Sequence, residues 1–217
     1  MIVVTGIGIV SALGIGVAEN YNSLKSSKCG LGKISNFQTN HDVPVGELKF
    51  TNEELKAKLG IPSRKKYSRT SLLGMLAAKE ALENANISSG RVGLISATSV
   101  GGMDITEQHY EALQRNENFD FNTIAHHECG NITNLTAKHL GLNCFTATIS
   151  TACSSSANTI MLASKMIKAG MLDACIVGGA DALSLFTING FNALMILDKT
   201  LCQPFDENRR GLNLGEG

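Results

Sequence analysis

The sequence predicts an α/β layered fold, with a parallel or mixed sheet covered by helices on both faces. Three observations carry this expectation. Residues 2–5, 91–98, 144–150 and 173–178 are short runs rich in β-branched residues and read as strands. Their hydrophobicity is nearly continuous rather than alternating, as in strands buried on both sides. Helical patterns separate the runs. The 22 glycines lie mostly near strand ends and turns, which suits tight strand–helix junctions.

Taken in order, residues 2–5 form the first strand and run into Gly6-Ile7-Gly8. A dinucleotide-binding fingerprint would need a third glycine at position 11, which is Ser11, and an acidic end to a second strand about 20 residues on. Both are missing, so a tight turn is expected. Residues 17–27 read as a helix, and 28–50, polar and containing Pro44, as a loop. Thr51 and Glu54 make a capping box that opens a helix over 51–59. Leu72, Met75, Leu76 and Leu82 give helical spacing to 71–84. The second strand, 91–98, is followed by helices over 104–115 and 131–140.

Between those helices lies His126-His127-Glu128-Cys129. These are metal-ligand types, but adjacent side chains point in different directions and cannot close round one ion. A polar loop or helix start is expected, with His127 available as a local hydrogen-bonding residue. His109 and His139 fall in helical segments and are expected at the surface. The strand 144–150 leads to a helix over 154–169, and the strand 173–178 to a Gly-Gly-Ala turn. Asp181 follows it and reads as a helix cap or loop anchor. The tail, QPFDENRRGLNLGEG, ends on glycines without a closing element.

Composition narrows the function classes. Nineteen basic residues balance nineteen acidic ones, so no global field recruits nucleic acid or an anionic membrane. With 43% hydrophobic residues the chain is expected to fold, as one large domain or two small ones. Residues 2–18 are apolar, but no basic segment precedes them, and Thr5, Ser11 and four glycines interrupt them. That is a poor signal or membrane helix, and a cytoplasmic location with free thiols is expected. The six cysteines form no CxxC pair. Cys144 and Cys175 sit in apolar runs and read as small core residues. No metal or cofactor is expected.

Cys153 stands apart, in ISTACSSSANTIMLASKMIKAG. Ala157, Ile160, Met161, Ser164 and Ile167 form one stripe at 3.6-residue spacing, with Asn158, Lys165 and Lys168 on another face. Lys165, Lys168 and Gly170 suit a helix C-terminus. The positive end of a helix dipole favours a thiolate at the helix start. Small neighbours (Ala152, Ser154, Ser155) would let a carbonyl approach, and a backbone N–H could meet its developing negative charge. A buried packing cysteine at a strand–helix junction explains the residue chemistry equally well.

Several segments read together resemble the β-ketoacyl synthase family: VVTGIGIVSALG, RVGLISATSVGG, TISTACSSSANTI, DACIVGGADAL, FNALMILDK and CQPFDENRRGLNLGEG. They occur in the family's order and span nearly the whole chain. The resemblance implies a thiolase-like fold with two similar α/β halves in five layers, this chain being the N-terminal half, a mixed β-sheet flanked by helices. It also implies a decarboxylative condensation. A cysteine takes an acyl group from acyl carrier protein, and a carbanion from malonyl-carrier protein attacks the thioester, in fatty acid or polyketide synthesis. Cys153 matches the nucleophile, its N–H matches one oxyanion donor, and Val100, Ala152 and Phe191 resemble residues lining the acyl pocket. A homodimer is implied.

The family's two catalytic histidines, its lysine and its glycine-rich loop find no counterpart here. His126 and His127 precede the nucleophile and do not fit the pattern. The chain therefore reads as an N-terminal half, inactive in condensation by itself. It is expected to expose an apolar patch and to self-associate, or to carry disordered loops around 100–130. Two alternatives remain: a non-catalytic chain-length partner subunit, and a thiolase-like enzyme using coenzyme A.

Overall fold

The computed structural model describes residues 1–87, 90–115, 117 and 121–217, and of Glu111, Phe121 and Asn122 only the backbone. Three parallel strands form its main sheet: β5 (Val92–Ala97) at the centre, β6 (Phe145–Ile149) on one side and β7 (Ala174–Gly179) on the other. Among the described residues, antiparallel pairing is confined to two ribbons, β1 (Val10–Ser11) with β2 (Gly14–Ile15), and β3 (Leu31–Gly32) with β4 (Val45–Gly46). The second ribbon lies in the stretch expected to be loop. Seven α-helices accompany them among the described residues: α1 (Val17–Lys25), α2 (Asn52–Leu59), α3 (Arg69–Ala85), α4 (Met103–Gln114), α5 (Cys129–His139), α6 (Ser155–Lys168) and α7 (Leu185–Ala193). A 3-10 helix, Phe121–His126, precedes α5.

The central strand explains the continuous hydrophobic runs. Successive residues of a strand face opposite sides. Leu94 packs with Ala137 of α5 and Ile176, with Ala78 and Leu82 of α3 behind them. Ile95 points the other way, onto Ala163 and Met166 of α6. Both faces of the sheet are therefore covered, and the α/β expectation stands. The largest cluster centres on α3, where Leu72, Leu73 and Met75 are fully buried against Leu55 and Leu59 of α2. Burying each such side chain contributes about 1.5–3 kcal/mol. The expected capping box is present on α2: the Thr51 hydroxyl accepts from Glu54 N, and the Glu54 carboxylate accepts from Thr51 N.

The first expected strand does not form: residues 1–9 carry no strand pairing. The glycines of Gly6-Ile7-Gly8 explain where the segment goes. A Cβ on Gly6 would lie 2.1 Å from the Ala81 carbonyl oxygen, and one on Gly8 1.9 Å from that of Ala77. Ala77 and Ala81 share one face of α3. The pair is thus a close-approach surface against a helix, not the expected turn. Glu80 of the same helix accepts from Ile9 N and Val17 N, at 3.0 and 2.7 Å. Held there, the segment faces β7 and α6 across a groove of about 290 Å³. A ladder needs a partner within hydrogen-bonding reach, whatever the β propensity of the residues.

The stripe on α6 also lies differently from the side that packs. The buried face is Ser155, Thr159, Ala163 and Met166, while Ile160 and Met161 are 56% and 50% exposed. Thr159 and Ala163 are small enough to seat the helix closely on the sheet. Val4, 81% exposed, and Ile160 line the same groove. Of the stretch 100–130, the described residues include α4, the 3-10 helix and the start of α5; residues 116 and 118–120 lie outside the described ones.

The tail is tied in at its end. Gly46 N donates to Leu214 O, Glu216 N to Gly46 O, and Gly217 exchanges two backbone hydrogen bonds with Asp181. The buried Glu216 carboxylate accepts from Arg69 Nη2 and Nε at 2.6 and 2.8 Å, and from Leu48 N and Leu183 N. This ion pair joins the head of α3 to a residue 147 positions away.

Candidate active site

The parallel strands β5, β6 and β7 end on one side of the sheet, where ligands of open α/β sheets bind. Beyond β6 the chain turns sharply into α6. Ala152 adopts a left-handed backbone, φ +52°, which is costly for a residue with a Cβ. Its carbonyl accepts from Ser155 N (3.0 Å), Ser155 Oγ (2.6 Å) and Ser99 Oγ (3.2 Å). Ser155 Oγ also accepts from Thr151 N, at 2.8 Å. These bonds fix a turn whose next residue is Cys153, exposed and one position before the N-cap Ser154.

Cys153 opens on a cavity of about 210 Å³, lined with Ala152, Thr98, Ser99, Asp181 and Gly217 among others. Gly179, at the end of β7, lets the first turn of α6 come close. A Cβ there would sit 2.3 Å from Ser156 Oγ. Asp181 is the loop anchor that the sequence suggested, and it caps no helix. Its Oδ1 accepts from Thr98 Oγ1, Ser99 N and Val100 N, at 2.5, 2.8 and 3.1 Å.

Of the four expected site residues, the structure brings Cys153 and Ala152 together in this cavity. Val100 is half-buried in the adjoining turn, and Phe191 half-buried in the last turn of α7; neither lines the cavity. The other thiols are differently placed. Burial pushes Cys175 up to about 11 and raises Cys144 as well. Both are half-buried and pack against core clusters. Cys29 is exposed, as Cys153 is.

The histidine cluster folds over the loop after β5. His127 Nδ1 lies 2.9 Å from Thr106 Oγ1, and Asn131 Nδ2 lies 3.3 Å from His126 Nδ1. Gly101 and Gly102 permit that contact: a Cβ on Gly102 would sit 1.9 Å from the His126 carbonyl oxygen. Among the described residues no group of three or more His, Cys, Asp or Glu side chains could hold a metal ion. His109 and His139, expected at the surface, are both half-buried. Burial, then the charge of Lys79, lowers the His139 pKa.

The profile of the beta-ketoacyl synthase N-terminal domain matches residues 1–217. The chain belongs to the β-ketoacyl synthase family. A curated family member, 3-oxoacyl-[acyl-carrier-protein] synthase 2 of Staphylococcus aureus (strain COL), is 29% identical over the whole chain, which spans 55% of that protein. Nodulation protein E of Rhizobium meliloti (strain 1021) is 27% identical over the whole chain and 56% of its own length. The chain thus spans little more than half the length of these relatives. Among solved structures, the ishigamide ketosynthase/chain length factor superposes with a TM-score of 0.87 at 24% identity, over 99% of this chain and 56% of that one. The ketosynthase ApeO in complex with its chain length factor ApeC, from Xenorhabdus doucetiae, gives 0.80 at 27% identity, over 98% and 55%. The thiolase-like fold expected of a β-ketoacyl synthase is therefore the fold of this chain.

Ser99, Arg69 and Glu216 are the residues that sequence reading missed. Ser99 carries no local signal beyond its place after a strand. Arg69 and Glu216 lie 147 positions apart, and nothing local signals their pairing.

Proposed function

We propose that Cys153 is the acyl acceptor of a β-ketoacyl synthase, taking its acyl group from acyl carrier protein. The observation that supports this is the exposed thiol at a left-handed turn, at the head of α6, over a cavity at the strand ends. In the transfer, the Cys153 thiolate attacks the carrier thioester carbonyl. The new C–S bond forms as the old one breaks, and the carrier thiol leaves with a proton. Decarboxylation of malonyl-carrier protein and carbon–carbon bond formation would follow in the whole protein. None of the five histidines of this chain lines the Cys153 cavity. Histidine is the side chain most often used for such proton handling, and this chain alone is proposed to acylate without condensing.

A depression of about 420 Å³ is lined by Arg64, Lys65, Lys66 and Lys138 among others, and offers a basic surface for docking the carrier. A homodimer is the proposed assembly. Incubation with acyl-carrier protein followed by peptide mass spectrometry tests the reading: an acyl adduct at Cys153 is expected, and its absence with adducts at Cys29 would sink it. Formation of β-ketoacyl product by this chain would overturn the claim of inactivity, and a monodisperse monomer in light scattering would overturn self-association.

A second reading is a non-catalytic chain-length partner, favoured by superposition on two ketosynthase/chain length factor systems. A thiol at the nucleophile position weighs against it. Selective iodoacetamide labelling of Cys153 supports the enzyme, and labelling no faster than at Cys29 the partner.

A further inference from the structure

We propose that Asp181 is a positioning residue that, through Ser99, holds the turn presenting Cys153; this rests on the reading of Cys153 as the acyl acceptor. Asp181 stands where three segments meet around the cavity. Its side chain gathers the turn after β5, accepting from Thr98 Oγ1, from Ser99 N with both oxygens (2.8 and 3.1 Å), and from Val100 N. Its backbone N–H and carbonyl pair with Gly217, at 3.0 and 3.1 Å. The turn it gathers is further closed by Gly101 N, which donates to Thr98 Oγ1 at 3.1 Å.

Ser99 is the one residue of that turn whose side chain bonds onward to the Cys153 turn, donating from Oγ to Ala152 O at 3.2 Å. Ala152 is the left-handed residue, and its carbonyl orientation decides where Cys153 points. A single-residue turn with an unfavourable φ persists only where its surroundings over-determine it. Ser155 supplies two of the three bonds to that carbonyl from within α6. Ser99 supplies the one that comes from another strand end, and so it locks α6 to β5. The carboxylate accepts from donors of residues 98–100. It acts at one remove.

The test is the rate of iodoacetamide labelling at Cys153 relative to Cys29, read by peptide mass spectrometry on the folded chain, with circular dichroism as the check on folding. Ser99→Ala removes one neutral hydrogen bond and should lower the ratio about threefold. Ser99→Thr keeps the hydroxyl and should restore the wild-type ratio, which a merely structural loss would not do. Asp181→Asn puts an amide N–H against backbone donors and should lower the ratio about tenfold, with the Asp181→Asn/Ser99→Ala double variant no lower. Should Asp181→Asn melt, the two Ser99 variants decide alone. A high wild-type ratio that survives Ser99→Ala and Asp181→Asn overturns the positioning role alone. A wild-type ratio of one or less overturns the acceptor reading and takes the positioning role with it.

Discussion

Asp104 makes the stability of this chain depend on pH in the direction opposite to most carboxylates. It lies in the first turn of α4, 6% exposed. Its Oδ2 accepts from Arg69 N at 2.7 Å, at the head of α3, and its Oδ1 has no partner among the described residues. Burial pushes the carboxyl up to about 6 from 3.8, against backbone hydrogen bonds from Arg69 and Ile105, and nearby Glu107 adds repulsion. The folded chain therefore keeps this proton over a range where the unfolded chain has lost it. The group favours the fold below pH 4, and its contribution falls as pH rises from about 4 to about 6. A shift of about 2 units corresponds to about 3 kcal/mol. Asp104→Asn cannot ionise and retains an oxygen for Arg69 N. Urea unfolding at pH 4 to 8 should show the variant gaining on wild type by about 2 kcal/mol between pH 4 and pH 7, the rest of the effect lying below pH 4. A difference that stays flat with pH would refute the reasoning, whatever its absolute size.

Glu216→Ala leaves the Arg69 guanidinium buried without its carboxylate, and should cost about 3–5 kcal/mol in urea unfolding. Gly8→Ala places a methyl against the Ala77 carbonyl oxygen, at 1.9 Å before relaxation, and should lower the melting temperature through at least ~1–3 kcal/mol of overpacking. Cys175, with its thiol near 11, should resist a disulfide reagent at pH 8 until the chain is unfolded, while Cys153 reacts in the folded state. Asp173, held at about 2 by the Arg91 side chain and backbone N–H, should stay ionised down to about pH 3 by carboxyl NMR, whereas Arg91→Ala, which keeps the N–H bond, should raise it only part of the way to the ordinary range.

The legible parts of this protein were local ones. Thr51 and Glu54 wrote a capping box that formed as written, and Leu72, Met75 and Leu76 marked the buried face of α3. TACSSS placed Cys153 between β6 and α6, and the ordered motifs named the family. Residues 2–5 had the right composition for a strand, yet Gly6 and Gly8 committed them to α3, out of reach of β7. On α6 the larger apolar side chains suggested the packing face, but close seating on the sheet selected Thr159 and Ala163 instead.

Sequence alone therefore determined the helix caps and the α/β alternation, because each depends on patterns close together along the chain. Only the tertiary structure decided that Asp181 meets Ser99 and Ser99 meets Ala152, that Phe191 stands away from the cavity, and that Arg69 closes on Glu216. Those contacts join residues 53 to 147 positions apart. Hydrogen-bond geometry across such separations exists only after the strands have aligned their ends.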